Sequence, residues 1–294
     1  MMKKVVIIGA NSRIARNFRF YLERKKDIEM KLYDVQESNA DRCSYSYRQI
    51  NFLDVDSVKM IDFNCDYVFI FSGKTGASKG FYDTSGFIDV NEKLLLNILN
   101  EIIRQKTDCR VIYPSSRLVY SDETSGPLKE SNNLFPKSIY AAGKIAAENY
   151  IRIYNMTFGL KYTLFRIAIP FGELNPSISE YGIIANLINQ AKNNRKITLY
   201  GNGDSVRTFT HISDICRLLW EGGTDDRTIN DVFNIGGHVY SMYELSTRIG
   251  EKYDSEVVNV EWPKIEECVE VRNGWLDSEK LDQLIHTDYI DIEL

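Results

Sequence analysis

Tyr140 and Lys144 stand four residues apart in SIYAAGKIAAENY (138–150), so on a helix their side chains share one face. The spacing alone proves little, because Tyr21 and Lys25 repeat it and the chain has 18 tyrosines. Context separates the two pairs. Tyr140 follows RVIYPSS (110–116), an apolar run that reads as a buried strand ending in Ser115 and Ser116. In parallel α/β sheets ligands gather outside the carboxyl ends of strands. A hydroxyl, a phenol and an ammonium at that edge can move a proton on and off an alcohol oxygen. Ser116 holds the oxygen, Tyr140 exchanges the proton, and Lys144 favours the phenolate. Free tyrosine titrates at about 10, so the neighbouring ammonium is expected to bring Tyr140 down towards neutrality.

The elements that position these groups follow from hydrophobic periodicity. KVVIIG (4–9), MKLYDV (30–35), DYVFIFSG (66–73) and RVIYPSS (110–116) predict buried parallel strands, with another at 161–168. Ile14, Phe18 and Leu22 form one apolar stripe of a helix, VNEKLLLNILNEII (90–103) a second helix, and 138–155 a third. This alternation predicts an α/β fold, a doubly wound parallel sheet of the Rossmann kind over residues 1–169. A smaller C-terminal substrate-binding domain is expected over 170–294, with the chain free to re-enter the first locally.

The turn VVIIGANSRIA (5–15) carries one glycine where a dinucleotide-binding turn normally has three. Gly9 can make the tight turn, while Ser12 and Ala15 occupy the other two positions with the next smallest side chains. The Ser12 hydroxyl can also donate to a phosphate at the helix N-terminus. Asp34, 25 residues beyond Gly9, ends the second strand, where an acid accepts both ribose hydroxyls and repels a 2′-phosphate. NAD is therefore expected over NADP, with Arg13 as a local counterweight.

The net charge of −5 offers no basic excess for nucleic acid. No apolar run approaches the roughly 20 residues of a membrane helix, and the apolar stretch after MMKK is short for a signal peptide. Five cysteines (Cys43, Cys65, Cys109, Cys216, Cys268) without a CxxC, and three dispersed histidines, predict free thiols, no metal site and a cytoplasmic protein.

With these motifs in hand, the chain resembles an extended short-chain dehydrogenase/reductase, the family of NAD-dependent sugar-nucleotide epimerases, dehydratases and reductases. The likeness extends through NFLDV (51–55), DVNEKLLLNIL, PLKESN, FRIAIPFG (165–172), LYGNGDSVRTFTHISDI (199–215) and VFNIGG (232–237). It implies cofactor contacts from Gly9, Asn11, Ser12, Arg13, Ile14, Asp34, Asp54, Val55, Phe71, Ser72, Gly73 and Asn91, beside Tyr140 and Lys144. It implies that Arg207 meets a nucleotide-sugar pyrophosphate; Lys74 and Lys79, in the loop after the third strand, and Arg117 are expected to border the substrate, and Arg272, near the C-terminus, is expected to offer a second phosphate clamp. His211 is expected to serve Asp214 structurally. A homodimer through the helices at 90–105 and 138–155 is implied as well.

The positions after the catalytic serine narrow the reaction. In dehydratases of the family an acid pair follows the serine or threonine, whereas this chain has Arg117 and Leu118. In 3,5-epimerizing reductases a cysteine takes the place of Leu118. A 4-epimerase, which oxidises C4 and returns hydride to the other face, fits best; a one-way 4-ketoreductase is the alternative. A non-catalytic dinucleotide-binding regulator is a third reading, disfavoured by the intact triad. Ile169 replaces an asparagine that reaches the sugar-nucleotide phosphate in many relatives, and residues 121–137 are expected to help set specificity.

Overall fold

The apolar runs fold into strands whose central members are sealed from solvent on both faces, as parallel sheets require. The structure is a computed structural model and describes residues 2–41, 45–121, 126–179, 182–272 and 274–293. Cys43 and residues 122–125 of the 121–137 stretch lie outside the described residues. The strands are β1 (Lys3–Ile8), β2 (Ile28–Asp34), β3 (Ser46–Gln49), β4 (Tyr67–Ile70), β5 (Arg110–Ser116), β6 (Gly126–Leu128) and β7 (Lys161–Ile167). They continue as β8 (Ile169–Phe171), β9 (Lys196–Tyr200), β10 (Val206–His211), β11 (Asp231–Asn234), β12 (His238–Ser241), β13 (Glu256–Val260) and β14 (Gly274–Leu276). The α-helices are α1 (Arg13–Glu23), α2 (Val55–Val58), α3 (Thr84–Ile88), α4 (Leu94–Gln105) and α5 (Ile139–Phe158). They are followed by α6 (Ile183–Asn194), α7 (Ile212–Thr224), α8 (Met242–Tyr253), α9 (Lys264–Val269) and α10 (Glu279–Asp282).

Among the described residues the large sheet has seven strands in the order β11-β7-β5-β4-β1-β2-β3. Every pairing in it is parallel. The order reverses between β1 and β4, which opens a crevice at their carboxyl ends. One face is covered by α4 and α5 over Val6, Ile8, Val68 and Val111. The other is covered by α1 and α7 over Val5, Ile7, Phe69 and Ile112. Phe18 and Leu22 of the predicted α1 stripe are fully buried there, and Ile14 packs at its margin.

The second half departs from a clean division. β8, β10 and β12 form a small sheet, and Phe171, Leu187, Leu199, Phe209 and Leu245 form its own core. Yet α7 packs on α1 and β11 pairs with β7, so the chain returns to the large sheet. Within the first half, β3 is a further strand, mostly exposed and with no apolar run to announce it. The helix expected from residue 90 begins instead at Thr84 and passes through a π-helical turn, Asp89–Lys93. Such turns recur at functional sites.

A buried ion pair joins the layers beneath the reactive edge. Arg166 on β7 and Glu148 on α5 are each at most 1% exposed and meet through two hydrogen bonds of 3.0 and 2.7 Å. Ser115 Oγ donates to Glu148 Oε1 at 2.6 Å, which ties in β5. Arg166 also donates to the Tyr120 hydroxyl at 2.9 Å, and Tyr120 donates to Asn234 Oδ1 at 2.6 Å. Burial pushes the Glu148 carboxyl up, but Arg166 outweighs it and holds the group below its usual range. Because that depressed value belongs to the folded state, the stabilisation is present at neutral pH and is lost as pH falls through it. Arg166→Met, which leaves the buried carboxylate only the Arg152 contact at 3.2 Å and the Ser115 hydroxyl, is expected to cost roughly 3–5 kcal/mol in urea unfolding at pH 7. Part of that loss should return near pH 5, where Glu148, deprived of Arg166, takes up a proton. A loss that does not change with pH would assign the cost to packing alone.

Candidate active site

Ser116 ends β5 and opens a single 3-10 turn, Arg117–Val119. Its Oγ accepts the Leu118 N–H at 3.2 Å, which leaves the hydroxyl proton to donate elsewhere. Ser138 caps α5 by accepting the Ala141 N–H at 3.1 Å, fixing the start of the helix and so the heights of Tyr140 and Lys144 above the strand end. The partly buried Tyr140 phenol is in hydrogen-bonding contact with Ser116. Lys144, buried one turn further on, donates to the Tyr113 hydroxyl and to the Pro114 carbonyl, both at 2.9 Å. Ser116, Tyr140 and Lys144 thus stand together at one sheet edge.

The expected lowering of the Tyr140 pKa is corrected. Burial raises it, with the Ser116 hydrogen bond pulling the other way. The ammonium is spent on Tyr113 and Pro114: it lies 4.4 Å from the Tyr113 ring centroid and 6.0 Å from that of Tyr140. Burial brings Lys144 itself down to about 8, against the opposing charge of Glu148. Tyr113, buried and raised well above the ordinary tyrosine range by burial, holds the Lys144 ammonium and is a contact that sequence reasoning did not find. Its signal was its place on β5, three residues before Ser116. Glu148 was also missed, although it continues the Tyr140–Lys144 face at the next four-residue step.

The cofactor-binding candidates surround the crevice at the β1/β4 switch. Gly9 has φ +78°, and a Cβ there would meet the Ser72 backbone N at 2.5 Å, so only glycine lets the turn after β1 close on the turn after β4. Ser12 caps α1 towards Ala15, with the helix N-terminus facing the crevice. Asp34 is buried and accepts the Asn11 and Gln36 N–H groups at 2.8 and 3.0 Å. Asn11 in turn donates to Gln36, the Ser38 carbonyl and the Tyr47 hydroxyl, which braces this rim.

The remaining candidates are placed as follows. Asp54 caps α2, and Val55 beside it is exposed. Phe71 packs on Phe18, with ring centroids 5.4 Å apart. Asn91, in the π-helical turn, clasps the Lys74 backbone by accepting its N–H at 2.8 Å and donating to its carbonyl at 3.2 Å; the same amide oxygen lies against Gly73. Arg13 is ion-paired with Glu173 and donates to the Gly172 carbonyl at 3.0 Å, so its guanidinium is engaged with the loop after β8. This cradle of glycine turn, helix terminus and strand-end acid fits a dinucleotide.

On the substrate side Arg117 and Arg207 converge on one carboxylate, Glu270, at 3.5 and 3.0 Å. Lys74 pairs with Asp83 and, with Lys79, lines a cavity of about 370 Å³. Arg272 stands apart, paired with Glu267 at 2.8 Å and lying over the Trp262 ring. His211 does not hydrogen-bond Asp214 as expected. Its Nδ1 accepts the Ser213 N–H at 3.3 Å as the cap of α7, and Asp214 accepts the Ile290 N–H at 2.9 Å. Ile169 packs at the margin of the small core. The four described cysteines are free thiols, and no group of metal-ligating side chains forms among the described residues.

The profile of the NAD dependent epimerase/dehydratase family matches residues 5–236. The chain belongs to that family, whose members are NAD-dependent enzymes of the extended short-chain dehydrogenase type. A putative UDP-glucose 4-epimerase of Methanocaldococcus jannaschii is 28% identical over 161 residues, 51% of this chain and 53% of that protein. The low-salt glycan biosynthesis protein Agl12 of Haloferax volcanii is 24% identical over 257 residues, 84% and 81% of the two chains. The match thus spans about half the length of the first of these relatives. A solved UDP-glucose 4-epimerase of Thermotoga maritima superposes with TM-score 0.83 at 20% identity, covering 95% of this chain and 91% of that one. The same fold is shared with a UDP-N-acetylglucosamine 4-epimerase of Methanobrevibacter ruminantium, at TM-score 0.84, 22% identity and coverage of 97% and 93%.

The geometry around Asp34 generates a cofactor test. Asp34→Ala is expected to weaken NAD binding about tenfold or more, as loss of a charge-assisted hydrogen bond does, while weakening NADP far less. Equal losses of the two cofactors in calorimetry would remove Asp34 from the ribose.

Proposed function

We propose that the chain is an NAD-dependent sugar-nucleotide 4-epimerase working through Ser116, Tyr140 and Lys144. The observation that carries the reading is the meeting of the Ser116 hydroxyl and the Tyr140 phenol at the carboxyl end of β5, next to the crevice closed by Gly9 and Ser72. Gly9, Ser12, Asp34, Ser72 and Asn91 would hold the dinucleotide. NAD bound there supplies reversible hydride acceptance from a sugar carbon.

The protein's own groups handle the proton and the oxygen. Ser116 donates to the sugar oxygen and keeps it in line with the phenol. Tyr140 takes the hydroxyl proton and later gives it back, as general base and then general acid. Lys144, held by Tyr113 and Pro114 and brought down to about 8, keeps its positive charge at neutral pH and lies one helical turn from the phenol. That charge stabilises phenolate as it forms during proton transfer, while in the resting protein burial holds the Tyr140 phenol above its usual range. Above about pH 8 the ammonium loses its proton, so activity should fall on the alkaline side. Arg117 and Arg207 supply the positive charge that a nucleotide-sugar diphosphate needs.

A one-way 4-ketoreductase is the second reading, favoured by Ile169, which packs on the small core where many relatives carry an asparagine that grips the sugar-nucleotide phosphate. A dTDP-4-dehydro-6-deoxyglucose reductase of Escherichia coli is also 28% identical over 51% of the chain. We further propose a homodimer in the cytoplasm. Ile153, Met156 and Phe158 expose apolar surface on α5, and free thiols suit a reducing compartment. No helix among the described residues is long and apolar enough to cross a membrane.

The deciding experiment incubates the protein with NAD(H) and a panel of nucleotide hexoses and nucleotide 4-keto-6-deoxysugars, following sugar NMR and cofactor absorbance together. An epimerase inverts C4 without net cofactor consumption. Stoichiometric loss of NADH with a keto-sugar would make the protein a reductase instead.

A further inference from the structure

Arg117 and Arg207 are both more than nine-tenths buried, and the nearby Glu270 carboxylate is shared between them. Two guanidiniums facing one carboxylate leave an excess positive charge in a poorly solvated place, where uncompensated charge is costly. Burial outweighs the attraction of Glu270, and with a smaller repulsion from Arg207 it brings Arg117 down to about 10, so the arginines feel each other. The contacts are also incomplete. Arg117 reaches Glu270 Oε1 only at 3.5 Å, and the buried Arg207 Nε has no hydrogen-bond partner among the described residues. A third cation, Lys137, donates to the Glu270 backbone carbonyl at 2.7 Å.

The place matters as much as the charge. Arg117 follows Ser116 directly, Lys137 precedes Tyr140 by three residues, and Arg207 lies on β10. Glu270 therefore lies where the reactive strand end, the start of α5 and the small sheet meet. It sits just past the six-residue α9, half of whose residues are exposed. The irregular residues after it are anchored by the buried Val271 side chain and by two long hydrogen bonds to backbone carbonyls. Arg272 O accepts the Val206 N–H at 3.2 Å, and Val271 O accepts from Arg117 at 3.3 Å.

We propose that Glu270 is a built-in competitor whose carboxylate keeps the place of a substrate oxyanion between Arg117 and Arg207, and that the substrate displaces it on binding. The incoming oxyanion brings charge and acceptor oxygens that one shared carboxylate lacks, including an acceptor for Arg207 Nε. It comes from one of two sources, the diphosphate linkage or a carboxylate on the sugar. The inference rests on the nucleotide-sugar reading of the site. Its test reads binding without turnover, so the absence of epimerase activity and the absence of displacement are separate results.

The test titrates inorganic pyrophosphate, UDP-glucose and UDP-glucuronate into the full-length protein and its Glu270→Gln variant by calorimetry. Removing the competing charge is expected to tighten binding about tenfold. A gain for pyrophosphate and for both sugars assigns the place to the diphosphate. A gain confined to UDP-glucuronate assigns it to the sugar carboxylate. Unchanged or weaker binding of all three would overturn the proposal. Because Glu270→Gln strands two buried arginines, a second measurement uses the unaltered protein. Saturating UDP-glucose or UDP-glucuronate should speed hydrogen exchange in residues 264–272 by freeing the segment, and slowed or unchanged exchange with both would equally contradict displacement.

Discussion

The buried Glu148–Arg166 pair is the constraint on which the reactive edge depends. It fastens α5 to β7 and, through Ser115, to β5, the two elements that carry Tyr140 and Ser116. A helix packed on a sheet by apolar contact alone can slide by a fraction of a turn at small cost, but a bidentate charge pair has one geometry. The groups proposed to handle the proton gain their register from a pair buried beneath them. Lys144 stands between Glu148 and Tyr140 on the same helical face, so the pair also sets the field in which the lysine works.

That field explains a tension in the site. Burial keeps the Tyr140 phenol protonated and pushes Lys144 towards neutrality, which is the opposite of what a proton-accepting tyrosine needs. Tyr113 and the Pro114 carbonyl answer part of it by giving the ammonium two acceptors in a buried place. Positive charge brought by a bound oxidised cofactor acts in the same direction on the phenol. In the proposed mechanism the protein therefore contributes orientation and charge placement more than a pre-formed phenolate.

Much of this was legible in the sequence because it depends on local period. The strand runs, the α1 stripe and the four-residue Tyr140–Lys144 step are all properties of a dozen residues or fewer, and Asp34 marks its strand end as readily. What escaped depends on contacts distant in the chain. Tyr113 looks like any core aromatic until Lys144 is brought 31 residues back onto it. Glu270 is one acid among many in EECVEV until the fold sets it against Arg117 and Arg207. A local return to the first domain was expected, but periodicity does not say that α7 and β11 make it, since an apolar helix reads the same on either core. The expected fall in the Tyr140 pKa went wrong for a related reason: spacing shows that a lysine is near, and says nothing of which acceptor it chooses.

The most direct test of the account is a single-turnover measurement on Tyr140→Phe, which removes only the phenolic oxygen. With a nucleotide hexose that the unaltered protein turns over, the account predicts a fall of roughly 10²- to 10⁴-fold in the rate of the chemical step, with NAD affinity preserved. An unchanged chemical step would contradict it and remove Tyr140 from the proton path.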